Sequence, residues 1–431
     1  MAQREAATSA VYVEAARTLA ARRAVEAVPA LIDTARASDV QAAGASCEAL
    51  AALIDEGHFP AMVDLIVNAG TTSFRSAAFN ALVAAAHRLG AEHRASQAAT
   101  AALNGAGLLA QCALIEALGK LGHDSSLATV VTACTDADPA VRNAAVRALA
   151  DWPSPQAIPA LLDTAKAQAG DKLGVLALRG LIRLLAVPSD RPPEETLTYY
   201  REAIALARQD IPKKQALAGL ANVKTPEALA CVAAHLANPE LRNEAAATVL
   251  AITEAIADAH PEAAEAALHS VIDEAPEPET LAKARTALAK VRLARLGAWN
   301  IASTGTASSP DDLDKDGGSH GDQAAIDGDP DTYWDEVDGK DMYILEVTFN
   351  EPQRIVAITI LGYSHHNYAP KDFVVLADGT GVASVEDAQY TDNQLVVDFP
   401  AAACKTLRLA ITGYYGSSPA IRELGIYAVQ E

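Results

Sequence analysis

The amino-acid sequence predicts a multidomain α + β protein of two unlike parts. An α-solenoid of helix pairs over residues 1–296 is followed by a β-sandwich over residues 297–431. The first part places apolar residues at helical spacing and reuses one motif, whereas the last part alternates apolar and polar residues as strands do. Between the two, residues 297–324 are polar and rich in turn-forming residues, which places the boundary there.

The first part is rich in Ala and Leu, and its helical pattern breaks at Gly, Pro, Asp or Asn about every 15–20 residues. One helical face is formed by Val141, Ala144, Ala145, Ala148 and Leu149. The helix opening Asp138–Asn143 is repeated as Asn238–Asn243. Self-similar helix pairs, about seven here, cannot bury their apolar faces singly and stack into one continuous core. The Asp-Pro-x-Val-Arg opening resembles HEAT repeats, specifically those of bacterial proteins.

The solenoid shows no catalytic motif. Its histidines lie at predicted turns and helix ends, without a carboxylate or cysteine at metal-ligand spacing. They are His58, His87, His93, His123, His235, His260 and His269. No Gly-rich phosphate loop or nucleophile elbow is present. We therefore expect a non-enzymatic scaffold that binds another protein or acts as a spacer.

Charge is concentrated in the last part. From Ala298 onward the sequence has 22 acidic and 7 basic residues, a net charge of −15, while the preceding part has 33 and 27, a net charge of −6. This balance argues against nucleic acid as a partner. No apolar run is long enough to span a membrane. The five cysteines lack paired spacing and are interpreted as thiols rather than as a disulfide or metal framework.

The run Ala325–Trp334 is the one stretch that combines carboxylates, a hydroxyl, tight-turn residues and aromatic residues. Asp327-Gly328 and Asp329-Pro330 are strong turn dipeptides, so the loop can direct several oxygens toward one point. Oxygens in that arrangement are what a hard cation such as calcium needs. An acidic surface turn would have the same local spacing.

The pattern Ala-x-Asp-Gly-Asp-x-x-Thr-x-Trp resembles the start of discoidin (coagulation factor type C) domains, whose fold many carbohydrate-binding modules share. Further matches follow in order at Tyr368–Phe373, Leu407–Leu409 and Ile421–Tyr427. The resemblance covers about residues 297–431, a normal size for one domain. It implies a jelly-roll sandwich.

The resemblance also implies a structural calcium site. Its ligands would be backbone oxygens of Ala325 and Asp329 and the side chains of Asp327, Thr332 and Glu423. Because Glu423 is near the C-terminus, the ion would join the first loop to the last strand. A second acidic run, Asp312–Gly317, copies half of an EF-hand loop, but Gln323 replaces the required twelfth-position Glu, so a solvated loop is expected there.

Two further loops predict a ligand surface from residues that suit sugars, aromatic rings and hydrogen-bonding side chains. The candidate residues are His365, His366, Asn367, Tyr414 and Tyr415. Tyr363 and Tyr368 can instead pack the base of the loop. No basic residue precedes Lys371 in this loop, although many galactose sites use an Arg. A zinc site at the adjacent histidines is disfavoured because neighbours on a strand face opposite ways.

These observations predict a non-catalytic adhesion or scaffold protein that binds carbohydrate through the sandwich and protein through the solenoid. The alternative is an assembly protein whose sandwich contacts protein without binding sugar. Since sugar-binding modules of this type are usually exported, we expect an extracytoplasmic location. The helix at residues 9–22 looks like the second of a pair, so we expect a segment of a longer exported protein.

Overall fold

The computed structural model describes residues 2–37, 40–274, 277–309, 321–363, 367–391 and 393–430, with the side chains of residues 2–8 and 37 excepted. The described chain forms two compact units, Met1–Gly219 and Leu220–Glu431. The predicted domain boundary at residues 296/297 stays a prediction. Within the described ranges, no helix is both long and apolar enough to cross a membrane.

The first unit is a stack of thirteen helices over the described residues, as predicted. They are α1 Ala2–Ala21, α2 Val28–Ala37, α3 Val40–Leu53, α4 Phe59–Val67, α5 Thr72–Leu89, α6 Glu92–Ala102, α7 Leu108–Leu121, α8 Leu127–Ala133, α9 Pro139–Ala150, α10 Ile158–Ala167, α11 Lys172–Leu185, α12 Pro193–Leu206 and α13 Asp210–Gly219. The predicted apolar face of α9 is buried.

The helix starts follow ordinary capping chemistry. Asp138 accepts a hydrogen bond from the backbone N–H of Ala140 at 2.8 Å, with Pro139 in the first helical position. Thr71 and Thr225 cap α5 and the first helix of the second unit in the same way. These side chains satisfy backbone donors that have no partner inside the helix.

The second unit begins with four helices and continues into strands. The helices are α14 Pro226–Ala233, α15 Arg242–Ile256, α16 Pro261–Glu274 and α17 Pro278–Arg295. The strands are β1 Trp299–Asn300, β2 Thr306–Ser308, β3 Trp334–Asp335, β4 Tyr343–Gly362, β5 Pro370–Ala377, β6 Thr380–Val385, β7 Gln394–Tyr414 and β8 Ala420–Ala428. The predicted β-sandwich is confirmed.

All strand pairs are antiparallel, in the order β1-β8-β4-β7-β5-β6, with β2 on β4 and β3 on β8. The alternation predicted for the last part is confirmed in β4, where Tyr343, Leu345, Val347 and Phe349 are all at most 2% exposed. Strands β4 and β7 are each long and continuous. The pairing of β4 with β7 contains register shifts, which mark irregularities in the ladder. Strands bend at such irregularities, so the sheet can curve around its own core.

The last helix of the second unit packs on the sandwich. Leu293 of α17 forms a small buried cluster with Val356 and Ala357 of β4. Beside it, the Arg292 guanidinium lies 2.9 Å from the Asp398 carboxylate of β7 and 3.0 Å from Glu265 of α16. Apolar burial supplies the stabilisation of this contact, and the partly exposed ion pairs set its orientation.

We expect Leu293→Ala to destabilise the sandwich by about 2 kcal/mol or more, because it leaves a cavity against β4. Leu296→Ala is the matched control, since Leu296 follows the same helix and is 52% exposed. Urea unfolding of the full chain measures the stability of both variants. Hydrogen exchange at the β4 amides shows whether the loss of stability is in the sandwich. Equal effects of the two substitutions would contradict this packing.

Candidate functional site

The loop Ala325–Trp334 is fixed at both ends by the sandwich core. Ala325 and Ile326 are buried at its start and Trp334 at its end, all at most 1% exposed. Trp334 begins β3 and pairs with Ile421 of β8. The polar residues between these anchors are therefore held in a defined position against β8.

The loop oxygens converge. The Thr332 hydroxyl donates to a carboxylate oxygen of Asp327 and lies at the same distance, 2.9 Å, from the carbonyl oxygen of Asp329. The other Asp327 oxygen accepts from the backbone N–H of Asp329 at 2.8 Å. Three of the predicted metal ligands are thus in mutual contact within one turn.

The third predicted side-chain ligand comes from the other end of the domain. The backbone N–H of Gly328 donates to Glu423 Oε1 at 2.8 Å. Gly328 has a φ of +85°, a conformation that glycine adopts without the cost a side chain would carry. Burial, together with the nearby Asp327 and Asp329 carboxylates, raises the pKa of Glu423 to about 7, although the Gly328 amide opposes that shift.

This donor set fits a hard cation. It offers two carboxylates, a hydroxyl and a backbone carbonyl, all oxygens, which suit calcium rather than zinc. In the described part of the chain, no three His, Cys, Asp or Glu side chains converge as a metal cluster. A cation here would therefore depend on backbone and hydroxyl oxygens as well as on Asp327 and Glu423. Ala325 lies in the same loop at the end of a 3₁₀ turn, Asp322–Ala325.

An aromatic cluster lies next to the loop. The ring centroids of Tyr333 and Tyr363 are 4.3 Å apart, and those of Tyr363 and Tyr368 are 5.7 Å apart. The Arg422 guanidinium lies 5.3 Å from the Tyr363 centroid and donates to the carbonyl oxygen of Pro330 at 2.8 Å. All four side chains are partly exposed.

Arg422 is the residue that sequence reasoning missed. The loop before Lys371 contains no basic side chain, whereas β8 supplies Arg422 from a distant position in the sequence. The available signal was its place next to Glu423 in the Ile421–Tyr427 motif, since a residue adjacent to a predicted loop ligand must lie near that loop.

The two predicted ligand loops meet at one end of the sandwich. Tyr415 N donates to the carbonyl oxygen of Ala369 at 3.0 Å. A Cβ on Gly416 would lie 1.7 Å from the carbonyl oxygen of Asn367, so only glycine permits this approach. Asn367 itself is exposed.

Tyr414 and Tyr415 are half-buried, and their hydroxyls form hydrogen bonds within the domain. Tyr414 packs edge-on against the buried Tyr343 ring, with centroids 5.3 Å apart. The Tyr415 hydroxyl donates to the carbonyl oxygen of Ala388 at 3.0 Å. Any ligand contact from these rings would come from their exposed edges.

Two sequence predictions fall on parts of the chain that the structure does not describe. His365 and His366 lie outside the described residues, between Tyr363 and Asn367, and so does the acidic run Asp312–Gly317. Gln323 is described, and its amide side chain is engaged with the backbone of Gly305 and Ala307.

In the solenoid, the arrangement nearest to a nucleophile with a base is Ser125, whose hydroxyl lies 2.9 Å from His123 Nδ1 and 3.1 Å from His93 Nδ1. The carboxylate next to it in sequence, Asp124, accepts from the Trp152 indole and the Ser154 hydroxyl. It therefore does not orient either imidazole. His123 Nδ1 also accepts from the backbone N–H of Ser125, which makes it a cap of the following turn.

Comparison with known families agrees with this architecture. Residues 92–179 match the HEAT repeats family, and residues 304–424 match the F5/8 type C domain family. The chain carries HEAT repeats and an F5/8 type C domain. The HEAT match runs from α6 into α11, and the F5/8 type C match includes the loop at Ala325–Trp334, the aromatic cluster and Glu423. A search of curated proteins found no match.

Solved structures similar to the F5/8 type C domain include a family 32 carbohydrate-binding module from C. perfringens NanJ in complex with galactose. It is 22% identical and matches over 30% of this chain and 97% of its own, with a TM-score of 0.26. Chitosan-binding module 1 from a Paenibacillus sp. IK-5 chitosanase/glucanase is 20% identical over 30% of this chain and 99% of its own, also with a TM-score of 0.26. These likenesses carry no functional argument, so the assignment rests on the family matches.

We expect the chelator-treated protein to have a sandwich whose stability falls as pH rises. The pKa of Glu423 is raised in the folded state from 4.5 to about 7, so its contribution is complete below 4.5 and is lost as pH rises through about 7. Glu423→Gln stays neutral and should remove that part of the pH dependence. This pH dependence is measured by the unfolding midpoints of the full chain, with EDTA, at about pH 5 and about pH 8. An unchanged difference between the two pH values in the variant would contradict the assignment.

Proposed function

We propose that this protein binds carbohydrate through its F5/8 type C domain and that the HEAT repeats form a non-catalytic scaffold which binds a protein or spaces the domain. The observation that carries the sugar proposal is the partly exposed surface at one end of the sandwich. Tyr363 and Tyr368 offer rings for the apolar face of a sugar, and Asn367 and Arg422 offer hydrogen-bonding groups for hydroxyls.

The proposal includes a structural calcium ion at the adjacent loop. Two carboxylates that repel each other, Asp327 and Glu423, would be neutralised by a divalent cation bound also by Thr332 and by backbone oxygens of Asp329 and Ala325. The ion would have no catalytic task. It would join the loop to β8 and so hold Arg422 against Tyr363, which makes the sugar surface depend on the metal loop.

An extracytoplasmic location is part of the same proposal, because a sugar-binding surface of this kind meets its ligands outside the cytoplasm. His365 and His366 are proposed as further ligand contacts on the basis of the sequence. Both lie between Tyr363 and Asn367 in the sequence.

Binding of sugars to the full chain in calcium tests this function. We expect at least one of a panel of monosaccharides to bind with a free energy of roughly −4 to −8 kcal/mol, which corresponds to millimolar to micromolar affinity. Tyr363→Ala should weaken binding about tenfold, since stacking on an aromatic ring is worth about 1 kcal/mol or more. His366→Ala tests the predicted histidine contact.

Tyr12→Ala is the matched control, because Tyr12 is a 46% exposed tyrosine of α1, far from the sandwich in sequence. Calorimetric titration measures the sugar affinity of all four proteins, the wild type and the three variants. Equal affinity of wild type and Tyr363→Ala would remove the aromatic surface from the proposal. Binding of no sugar, combined with concentration-dependent self-association, would instead support an assembly protein.

A further inference from the structure

The first unit contains a groove whose charge is opposite to that of the whole protein. It lies between α9 and α11 and has a cavity volume of about 630 Å³. Four cationic side chains line it, Arg142, Arg147, Lys172 and Arg179, against one carboxylate, that of Asp171. The full chain has a net charge of −21. Such a local inversion of sign favours binding of an anionic group.

The cations of the groove have no carboxylate partner within the described ranges. Arg147, Lys172 and Arg179 form no ion pair there and are exposed, unlike the neighbouring Lys166, which pairs with Glu202. Arg147 donates through Nε to the Asn143 side chain at 2.7 Å, which orients the guanidinium and leaves its terminal nitrogens for another partner. Lys172 is the first residue of α11, where the helix dipole disfavours a positive charge.

The helix-opening motif Asp138–Asn143, which contributes to the groove, recurs in the second unit as Asn238–Asn243, where its side chains pair with carboxylates. There Arg242 donates to the Glu274 carboxylate at 3.1 Å, and Asn243 donates to Glu277 at 3.1 Å. Arg142, at the equivalent motif position, donates only to backbone carbonyls of the preceding turn. At the first copy, no carboxylate of the described residues contacts Arg142 or Asn143.

The residues that line the groove also indicate which chemical groups its ligand would have. Leu173, Val175 and Leu176 contribute partly exposed apolar surface between the cations. No aromatic ring is among the residues that line the groove, so stacking on sugar or nucleobase faces is not provided. Arg guanidinium groups match the two oxygens of a carboxylate, and the apolar surface suits Leu-type side chains between them.

We propose that the α9–α11 groove binds an extended acidic peptide segment of a partner protein, with carboxylates on Arg147, Lys172 and Arg179 and apolar side chains between them. This deepens the scaffold part of the proposed function by naming the chemistry of the partner, and it is independent of the sugar surface.

The test uses the full chain and a short fluorescent peptide of alternating glutamate and leucine. We expect saturable binding that weakens with added salt, and a loss of about tenfold or more in Arg179→Glu and in Lys172→Glu. Arg179→Gln should give an intermediate loss. Arg17→Glu is the matched control, since it makes the same charge change on the exposed face of α1.

Three results would overturn the proposal. One is unchanged peptide affinity in Arg179→Glu with helix content preserved. The second is equal binding of a glutamine–leucine peptide, and the third is tighter binding of polygalacturonate than of the acidic peptide. Sugar titration of the same proteins separates the two proposals, because Arg179→Glu should leave binding at the sandwich unchanged.

Discussion

The partly buried carboxylate of Glu423 lies next to the exposed carboxylate of Asp327, although Glu423 is 95 positions beyond the Gly328 amide that it accepts from. Bringing two negative charges together is unfavourable unless hydrogen-bond donors or a cation compensate for their repulsion. The loop provides the backbone N–H groups of Gly328 and Asp329 and the Thr332 hydroxyl for this purpose. The raised pKa of Glu423 shows that these donors compensate only in part.

The ligand surface depends on that contact. Arg422 precedes Glu423 in β8, so a loop held to Glu423 also presents the Pro330 carbonyl to the Arg422 guanidinium. Arg422 in turn lies over Tyr363, which contacts both Tyr333 of the loop and Tyr368. The proposed metal loop and the proposed sugar surface are therefore one connected structure, in which loosening the first should disturb the second.

Much of the fold could be predicted from local patterns. The helical spacing in α9, its Asp-Pro opening and the alternation in β4 each depend on neighbours in sequence, and each is confirmed. The Asn238-Pro239 opening is followed by a turn instead, and α15 begins at Arg242. The convergence of Asp327, Asp329, Thr332 and Glu423 could be predicted only through resemblance to a family, because Glu423 is remote in sequence.

The remaining features are long-range contacts with no local pattern. The Arg422–Tyr363 pair joins β8 to the residue that follows β4, and the packing of Leu293 on β4 joins a helix to a sheet. Neither periodicity nor spacing reveals these contacts. The continuity of β4 is of the same kind, because its polar segment after Phe349 looks like a turn when it is considered alone. The cationic groove is of the same kind, since Arg147 and Arg179 lie on different helices.

Hydrogen–deuterium exchange of the full chain, with calcium and with EDTA, tests most directly whether the loop and β8 are held together by a cation. The account predicts slower exchange with calcium in the loop Ala325–Trp334 and in β8 around Glu423, and loss of that difference in Asp327→Asn. Identical exchange in calcium and in EDTA at both segments would contradict it.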